Sequence, residues 1–239
     1  MKTFSLLESW WQFVLMAIVC YAIGCINFAL IISRSKKKDI TKMGSGNPGT
    51  MNMSREFGLK FGLLTFVCDA IKGGLPALVS YFIYRNYVFA GTAVIVSDIT
   101  RYFCGLFVVI GHIFPVQMRF KGGKGIASTL GLFWFSLSCE SAWWALGGVG
   151  IAALLIFFIY ATEWGSLGSL LGVTGCSIIQ LFSYLLSYGQ NAFNAYLVWA
   201  YLLIFIVNVL TWVAHRKNLY RLFAGEEHRT SIKKLSKKR

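Results

Sequence analysis

The chain has 239 residues, of which 56% are hydrophobic and only 13% charged. A soluble domain of this length cannot hide that much apolar surface, which argues for the bilayer as solvent. The formal net charge of +14 raises nucleic acid as a partner. The cations, however, fall between apolar runs, where lipid head groups and phosphorylated substrates are nearer, so no nucleic acid is expected.

In chain order, apolar runs approaching the ~20 residues needed to cross hydrocarbon fall at 10–33, 58–84, 89–114, 126–140, 142–162, 165–187 and 193–214. The expected fold is therefore an all-α integral membrane protein, a polytopic bundle of about seven transmembrane helices. The first run, near Trp10, lacks a preceding basic region and is too long for a signal-peptide core. With an outside N-terminus, Arg34, Lys36, Lys37, Lys38, Lys42, Arg55, Arg119, Lys121, Lys124 and the basic residues from Arg216 to Arg239 all fall on one side. Only Lys2 and Arg85 fall in the opposite loops. That bias marks the cytoplasmic face, so the C-terminus is expected there. The chain reads as one membrane-embedded domain, 1–239, with a basic tail at about 229–239 that binds the membrane surface. Cys20, Cys25, Cys68, Cys104, Cys139 and Cys176 show no C-x-x-C spacing and read as small core residues, not as metal ligands or a disulfide framework.

Two pairs of opposite charges lie inside expected spans. Asp69 and Lys72 are three apart and share a helical face, and Asp98 and Arg101 repeat that spacing. Either each pair neutralises itself and pins helix packing, or Lys72 or Arg101 turns into a polar cavity and holds an anion.

Three loop segments carry the chemistry. "MGSGNPGTMNMSR", 43–55, sets Gly44, Gly46 and Gly49 among Ser45, Asn47, Thr50 and Asn52, with Arg55 following. Glycines let backbone N–H groups turn toward an anion, and guanidinium suits bidentate phosphate binding. "FKGGKGIAS", 120–128, places Lys121 and Lys124 among Gly122, Gly123 and Gly125 just before a helix start, where unpaired N–H groups favour anions. It is not a nucleotide-binding Walker loop, because Met118 stands where the first glycine is needed and Gly125 follows the lysine. "HRKNLYRLFAGEEHR", 215–229, puts His215 and Asn218 on one face of a helical extension. Taken alone, His215 is more often a capping residue than a catalyst; the company of the other two segments changes that weighting.

"GSGNPGTMNMSR", "GHIFPVQMRFKGGKGIAS" and "HRKNLYRLFAGEE" strongly resemble the three signature motifs of the bacterial acyl-phosphate:glycerol-3-phosphate acyltransferases, the PlsY family. "DAIKGGLP" and "EWGSLGSLL" agree as well, and the resemblance runs from roughly 20 to 227. It implies transfer of a fatty acyl group from acyl phosphate to the 1-hydroxyl of glycerol 3-phosphate, giving lysophosphatidate and inorganic phosphate. The implied location is the bacterial cytoplasmic membrane, with the active site facing the cytoplasm, no cofactor or metal, and no obligatory oligomeric partner. Carried onto this chain, the motifs make His215, Asn218, Lys124 and Ser166 catalytic. Ser45, Gly46, Asn47, Gly49, Asn52 and Arg55 would bind substrate, together with Lys121, Gly122, Gly123, Gly125 and Ser128. Asp69, Lys72, His112 and Glu227 are assigned structural places. Met51 replaces a usual threonine, and Glu163 stands where a basic residue is common.

Two rival classes fit the sequence less well. An acyltransferase with His, four residues and Asp fails because none of His112, His215 and His228 has an aspartate five positions on. A transporter of a phosphorylated metabolite would use the same phosphate-binding loops, but the chain has no repeated halves and its external loops are nearly uncharged.

Overall fold

The structure is a computed structural model and describes residues 1–227; the basic tail at about 229–239 lies outside the described residues. The helices are α1 (Leu6–Cys25), α2 (Phe28–Ser35), α3 (Thr50–Phe57), α4 (Leu59–Tyr84), α5 (Val96–Ile113), α6 (Ile126–Glu140), α7 (Trp143–Thr162), α8 (Gly165–Tyr188), α9 (Ala195–Ala214) and α10 (Arg216–Phe223). Among the described residues six stretches are long and apolar enough to cross a membrane, and the molecule is an all-α polytopic bundle. The run at 126–140 forms α6, but at 15 residues it is ~22 Å long, short of a ~30 Å hydrocarbon core.

Two expected runs have different ends from those read in the sequence. The run at 10–33 is broken between α1 and α2, where Ile26 and Asn27 are extended. Asn27 Oδ1 accepts the Leu30 N–H at 2.8 Å and caps α2. The break strands carbonyls at the end of α1 that have no helical partner. Lys72 Nζ reaches them from α4, at 3.3 Å from Gly24 O and 2.5 Å from Ile26 O, and Gln117 Nε2 donates to Cys25 O. The run at 89–114 becomes helical only at Val96, because β2 (Tyr87–Phe89) pairs in parallel with β1 (Lys2–Phe4) and packs Phe89 against Phe4.

α5 is the central helix, with 15 of its 18 residues buried, whereas α7 has none and faces outward along its length. Helices approach to backbone contact where the sequence supplies small residues. A Cβ on Gly73 of α4 would lie 1.9 Å from Ser128 O, and one on Gly131 of α6 would lie 2.0 Å from Ala70 O. The α1–α5 crossing is built the same way, with Gly24 against Val108 O and Gly111 against Tyr21 O.

Both intramembrane charge pairs are packing pins. Asp69 Oδ1 holds Lys72 Nζ at 2.8 Å while the ammonium closes the α1–α2 break. Arg101 is wholly buried and spends its guanidinium on Asp98 Oδ1, Glu140 Oε1, Tyr184 Oη and the carbonyls of Ser97 and Ser136. That network ties α5 to α6 and α8 near the N-terminal end of α5.

Candidate active site

The opposite end of α5 leads into the 114–125 loop, and there the polar residues converge. Lys124 Nζ donates to Asn218 Oδ1 on α10. The Asn218 amide in turn donates to Ser166 Oγ at 2.8 Å and to Glu227 Oε1 at 2.9 Å. Ser166, in the first turn of α8, donates its hydroxyl to the same Glu227 oxygen at 2.6 Å. Arg221 Nε meets Glu227 Oε2 at 3.2 Å. Segments separated by as many as 94 positions thus share one hydrogen-bonded chain. Arg55 of α3 lies within electrostatic reach of Glu227, Arg221 and Lys124. Lys124, Arg55 and Arg221 thus gather around Glu227, with Glu56 also acting on Arg55, and the cations still outnumber the carboxylates, as suits a phosphate dianion.

Each group's titration follows from this setting. Burial pushes the Lys124 ammonium down to about 8; Glu227 resists the shift, and Arg221 and Arg55 add to it. Burial would raise the Glu227 carboxyl, but the Ser166 and Asn218 hydrogen bonds and Arg221 outweigh it and hold it below its usual range. Burial lowers Arg55, with Glu227 acting against the shift.

His215 sits at the junction of α9 and α10 and is 3% exposed. Its Nδ1 lies 2.8 Å from Thr211 O. A carbonyl only accepts, so Nδ1 carries the proton and Nε2 keeps its lone pair. Burial and then the Lys124 charge lower the imidazole to about 4, so the ring is neutral at pH 7. The backbone N–H of Asn218 bonds to His215 O at 2.8 Å, which couples the two side chains' positions.

The loop before α3 is held from within. Gly44 and Gly46 adopt φ of +52° and +69°, a left-handed region natural to glycine. Asn52 accepts the Ser45 N–H at 3.1 Å and donates to Met43 O at 2.9 Å and Ile40 O at 3.3 Å. Both ends of that amide are thus committed to shaping the loop, so Asn52 is a scaffold for Ser45 and Gly46. Asn47 N–H faces Ser45 Oγ at 3.5 Å, Gly49 N–H bonds to Asn47 O, and Asn27 of the α1–α2 break fixes Pro48 O.

The glycines of the second segment answer first to packing. A Cβ on Gly122 would lie 2.1 Å from His112 O, and one on Gly123 would lie 2.2 Å from His112 Nε2. Gly125 has φ +81° and turns the chain into α6. His112 is in turn set beside Asp69, with Nδ1 3.7 Å from Oδ1. Ser128 is fully buried against Gly73 at the α4–α6 crossing, and Lys121 is exposed and has no place in the chain of hydrogen bonds that begins at Lys124. Arg221 was not singled out from the sequence, although it follows Asn218 by three and so shares its helical face. Thr211, one turn before His215, was missed as well; its carbonyl acts through a backbone atom that leaves no residue-type signal.

A family model described as glycerol-3-phosphate acyltransferase matches residues 14–225. A glycerol-3-phosphate acyltransferase of Mycoplasmopsis pulmonis is 33% identical over 220 residues, covering 91% of this chain and 92% of the relative. Two crystal structures of PlsY, an integral membrane glycerol 3-phosphate acyltransferase, share the fold. Its glycerol 3-phosphate form aligns with a TM-score of 0.74 at 26% identity, over 93% of this chain and 98% of that one. Its lysophosphatidic acid form aligns with a TM-score of 0.70 at 27% identity, over 91% and 95%.

Proposed function

The chain belongs to the glycerol-3-phosphate acyltransferase family, and from that premise we propose that it moves a fatty acyl group from acyl phosphate to the 1-hydroxyl of glycerol 3-phosphate. The products are lysophosphatidate and inorganic phosphate. The observation that carries the reading is the junction of Lys124, Asn218, Ser166 and Glu227, flanked by Arg55, Arg221 and His215, at one end of a membrane bundle. Both substrates carry a phosphate for that cationic junction, and one carries a chain that belongs in lipid. The positive-inside bias supports a site facing the cytoplasm of a bacterial membrane, within one domain spanning the chain.

Acyl phosphate is already activated, so the enzyme has mainly to position the reactants and stabilise charge. The 1-hydroxyl oxygen attacks the acyl carbon, the bond from that carbon to the phosphate oxygen breaks, and inorganic phosphate leaves. His215 Nε2, with its lone pair available, takes the hydroxyl proton. Lys124 and Arg55 offset charge on the phosphates. Ser45, Gly46, Asn47 and Gly49 supply the loop that cradles one phosphate, while Ser166 and Asn218 donate to the head groups once Glu227 yields part of its hold on them.

The test is release of inorganic phosphate by the purified protein from hexadecanoyl phosphate, with and without glycerol 3-phosphate. Release that depends on glycerol 3-phosphate and is lost in Lys124→Ala is the expected result. Release without the acceptor, or none at all, counts against the reading.

A further inference from the structure

Glu227 Oε1 accepts from Ser166 Oγ at 2.6 Å and from Asn218 Nδ2 at 2.9 Å, and Oε2 accepts from Arg221 Nε at 3.2 Å. Its side chain is 6% exposed. Lys124 and Arg55 feel the same charge from the other segments of the junction. Each of these groups is a hydrogen-bond donor or a cation suited to a phosphate oxygen, and the anion they hold is a carboxylate of this chain. A second anion cannot simply join it, because like charges a few ångströms apart in a water-poor site oppose each other.

The place of Glu227 in the chain lets it move. α10 ends at Phe223, and Gly225 beyond it has φ +73° with nothing within 4 Å of the Cβ it lacks. The Gly225 N–H bonds to Leu222 O at 3.1 Å and the Glu226 N–H to Arg221 O at 2.7 Å, which closes the helix with a glycine cap. Glu227 is the first residue past that cap. Rotation about its own bonds turns the carboxylate out of the junction, while α10 keeps Asn218 and Arg221 where they are. The neighbouring Glu226 is already exposed.

We infer that Glu227 is a built-in stand-in for the substrate phosphate, keeping Ser166, Asn218 and Arg221 aimed at one point until a phosphate arrives and displaces it. The inference rests on the reading above that the junction holds phosphate, and adds the group that must give way. The exchange is selective by charge. A phosphate dianion brings more negative charge than the carboxylate it replaces, whereas a neutral polyol such as glycerol brings none and leaves Glu227 in place.

The experiment is calorimetric titration of glycerol 3-phosphate into the wild type and Glu227→Gln. Glutamine keeps an acceptor oxygen for Ser166 and Asn218 and removes only the charge. A pH of about 6.5 lies above the second phosphate ionisation near ~6 and below the Lys124 value of about 8. The expected result is a Kd about tenfold lower in Glu227→Gln, a fraction of what unit charges exchange at ~4 Å near a protein surface. A Kd unchanged or raised overturns the inference and leaves the junction a phosphate site. Absence of binding to both proteins overturns the inference together with the reading it rests on. If Glu227→Gln fails to fold, the wild type decides. Carbodiimide and glycine ethyl ester label accessible carboxyls, and peptide mass spectrometry compares Glu227 with its exposed neighbour Glu226 in the same molecule. Saturating glycerol 3-phosphate raises the Glu227-to-Glu226 labelling ratio several-fold, and a ratio unchanged or lowered overturns the inference.

Discussion

The Nε2 atom of His112 fills the place where a side chain on Gly123 would begin, 2.2 Å from the Cβ that glycine lacks. The Gly123 N–H also bonds to His112 O at 3.1 Å, and the Gly122 N–H to Ile113 O at 3.0 Å, so the loop leading to Lys124 rests on the last two residues of α5. Glycine at 123 is demanded by a neighbour inside the protein, whatever ligand lies above it. Gly123→Ala displaces the loop and costs about 10²-fold in turnover, as a shift of ~1 Å does elsewhere in enzymes. The double variant His112→Ala/Gly123→Ala recovers part of that loss in the phosphate-release assay. A double variant as inactive as Gly123→Ala alone would show that the missing side chain serves ligand approach instead.

The buried ammonium of Lys124, with its pKa lowered to about 8, sets the alkaline limit of activity. The protonated form stabilises the leaving phosphate, so kcat/KM holds below pH 8 and falls as pH rises through that value. His215, lowered to about 4, is neutral throughout the ordinary assay range and contributes no limb above pH 5. An acidic limb near ~6 therefore reports the second ionisation of a substrate phosphate. Lys124→Arg moves the alkaline limb beyond the measurable range, and pH profiles of the two proteins check it.

Glu227 accepts from Ser166, Asn218 and Arg221 and resists the lowering of Lys124. In Glu227→Gln the negative charge is gone, so Lys124 loses its proton more easily and the alkaline limb moves to lower pH. An unmoved limb, measured as kcat/KM against pH, rules this coupling out.

His215→Ala tests the base directly. Nδ1 is tied to Thr211 O and Nε2 keeps the lone pair, so loss of the ring removes a general base that contributes typically 10²–10⁴-fold. The expected signature is a fall in kcat within that range with glycerol 3-phosphate binding retained, read by calorimetry. A fall under tenfold sinks His215 as base and leaves deprotonation to a phosphate oxygen of the substrate.

Asp69→Ala strips the counter-ion from the buried Lys72 ammonium, and leaving one charge of a buried pair alone costs about 3–5 kcal/mol. Thermal unfolding in detergent shows the loss as a lower midpoint. Asp69→Leu/Lys72→Met removes both charges but also empties the carbonyls of Gly24 and Ile26, which Lys72 satisfies. The double variant recovers only part of the midpoint. Full recovery would mean that the ammonium contributes nothing to the break between α1 and α2.

The bundle was legible in the sequence because apolarity sustained over a span is a local property. The run at 58–84 became α4 at Leu59–Tyr84, and the run at 165–187 became α8 at Gly165–Tyr188. The charge pairs at Asp69–Lys72 and Asp98–Arg101 were legible as pairs, since spacing of three fixes a shared face. The break at Ile26–Asn27 was not, because hydropathy continues across it and its stabilising partner, Lys72, lies 46 residues away.

By itself, then, the chain's order of residues determined the helices, the polar segments between them and the kinds of group available for holding phosphate. Only tertiary structure decided which of those groups meet. Lys124, Asn218, Ser166 and Glu227 are joined by side-chain hydrogen bonds across distant segments, and no local pattern encodes such pairing. Gly122 and Gly123 carry the same lesson in reverse. A missing Cβ looks alike in sequence whether it makes room for a ligand or for a histidine ring, and only the atom across the gap tells the two apart.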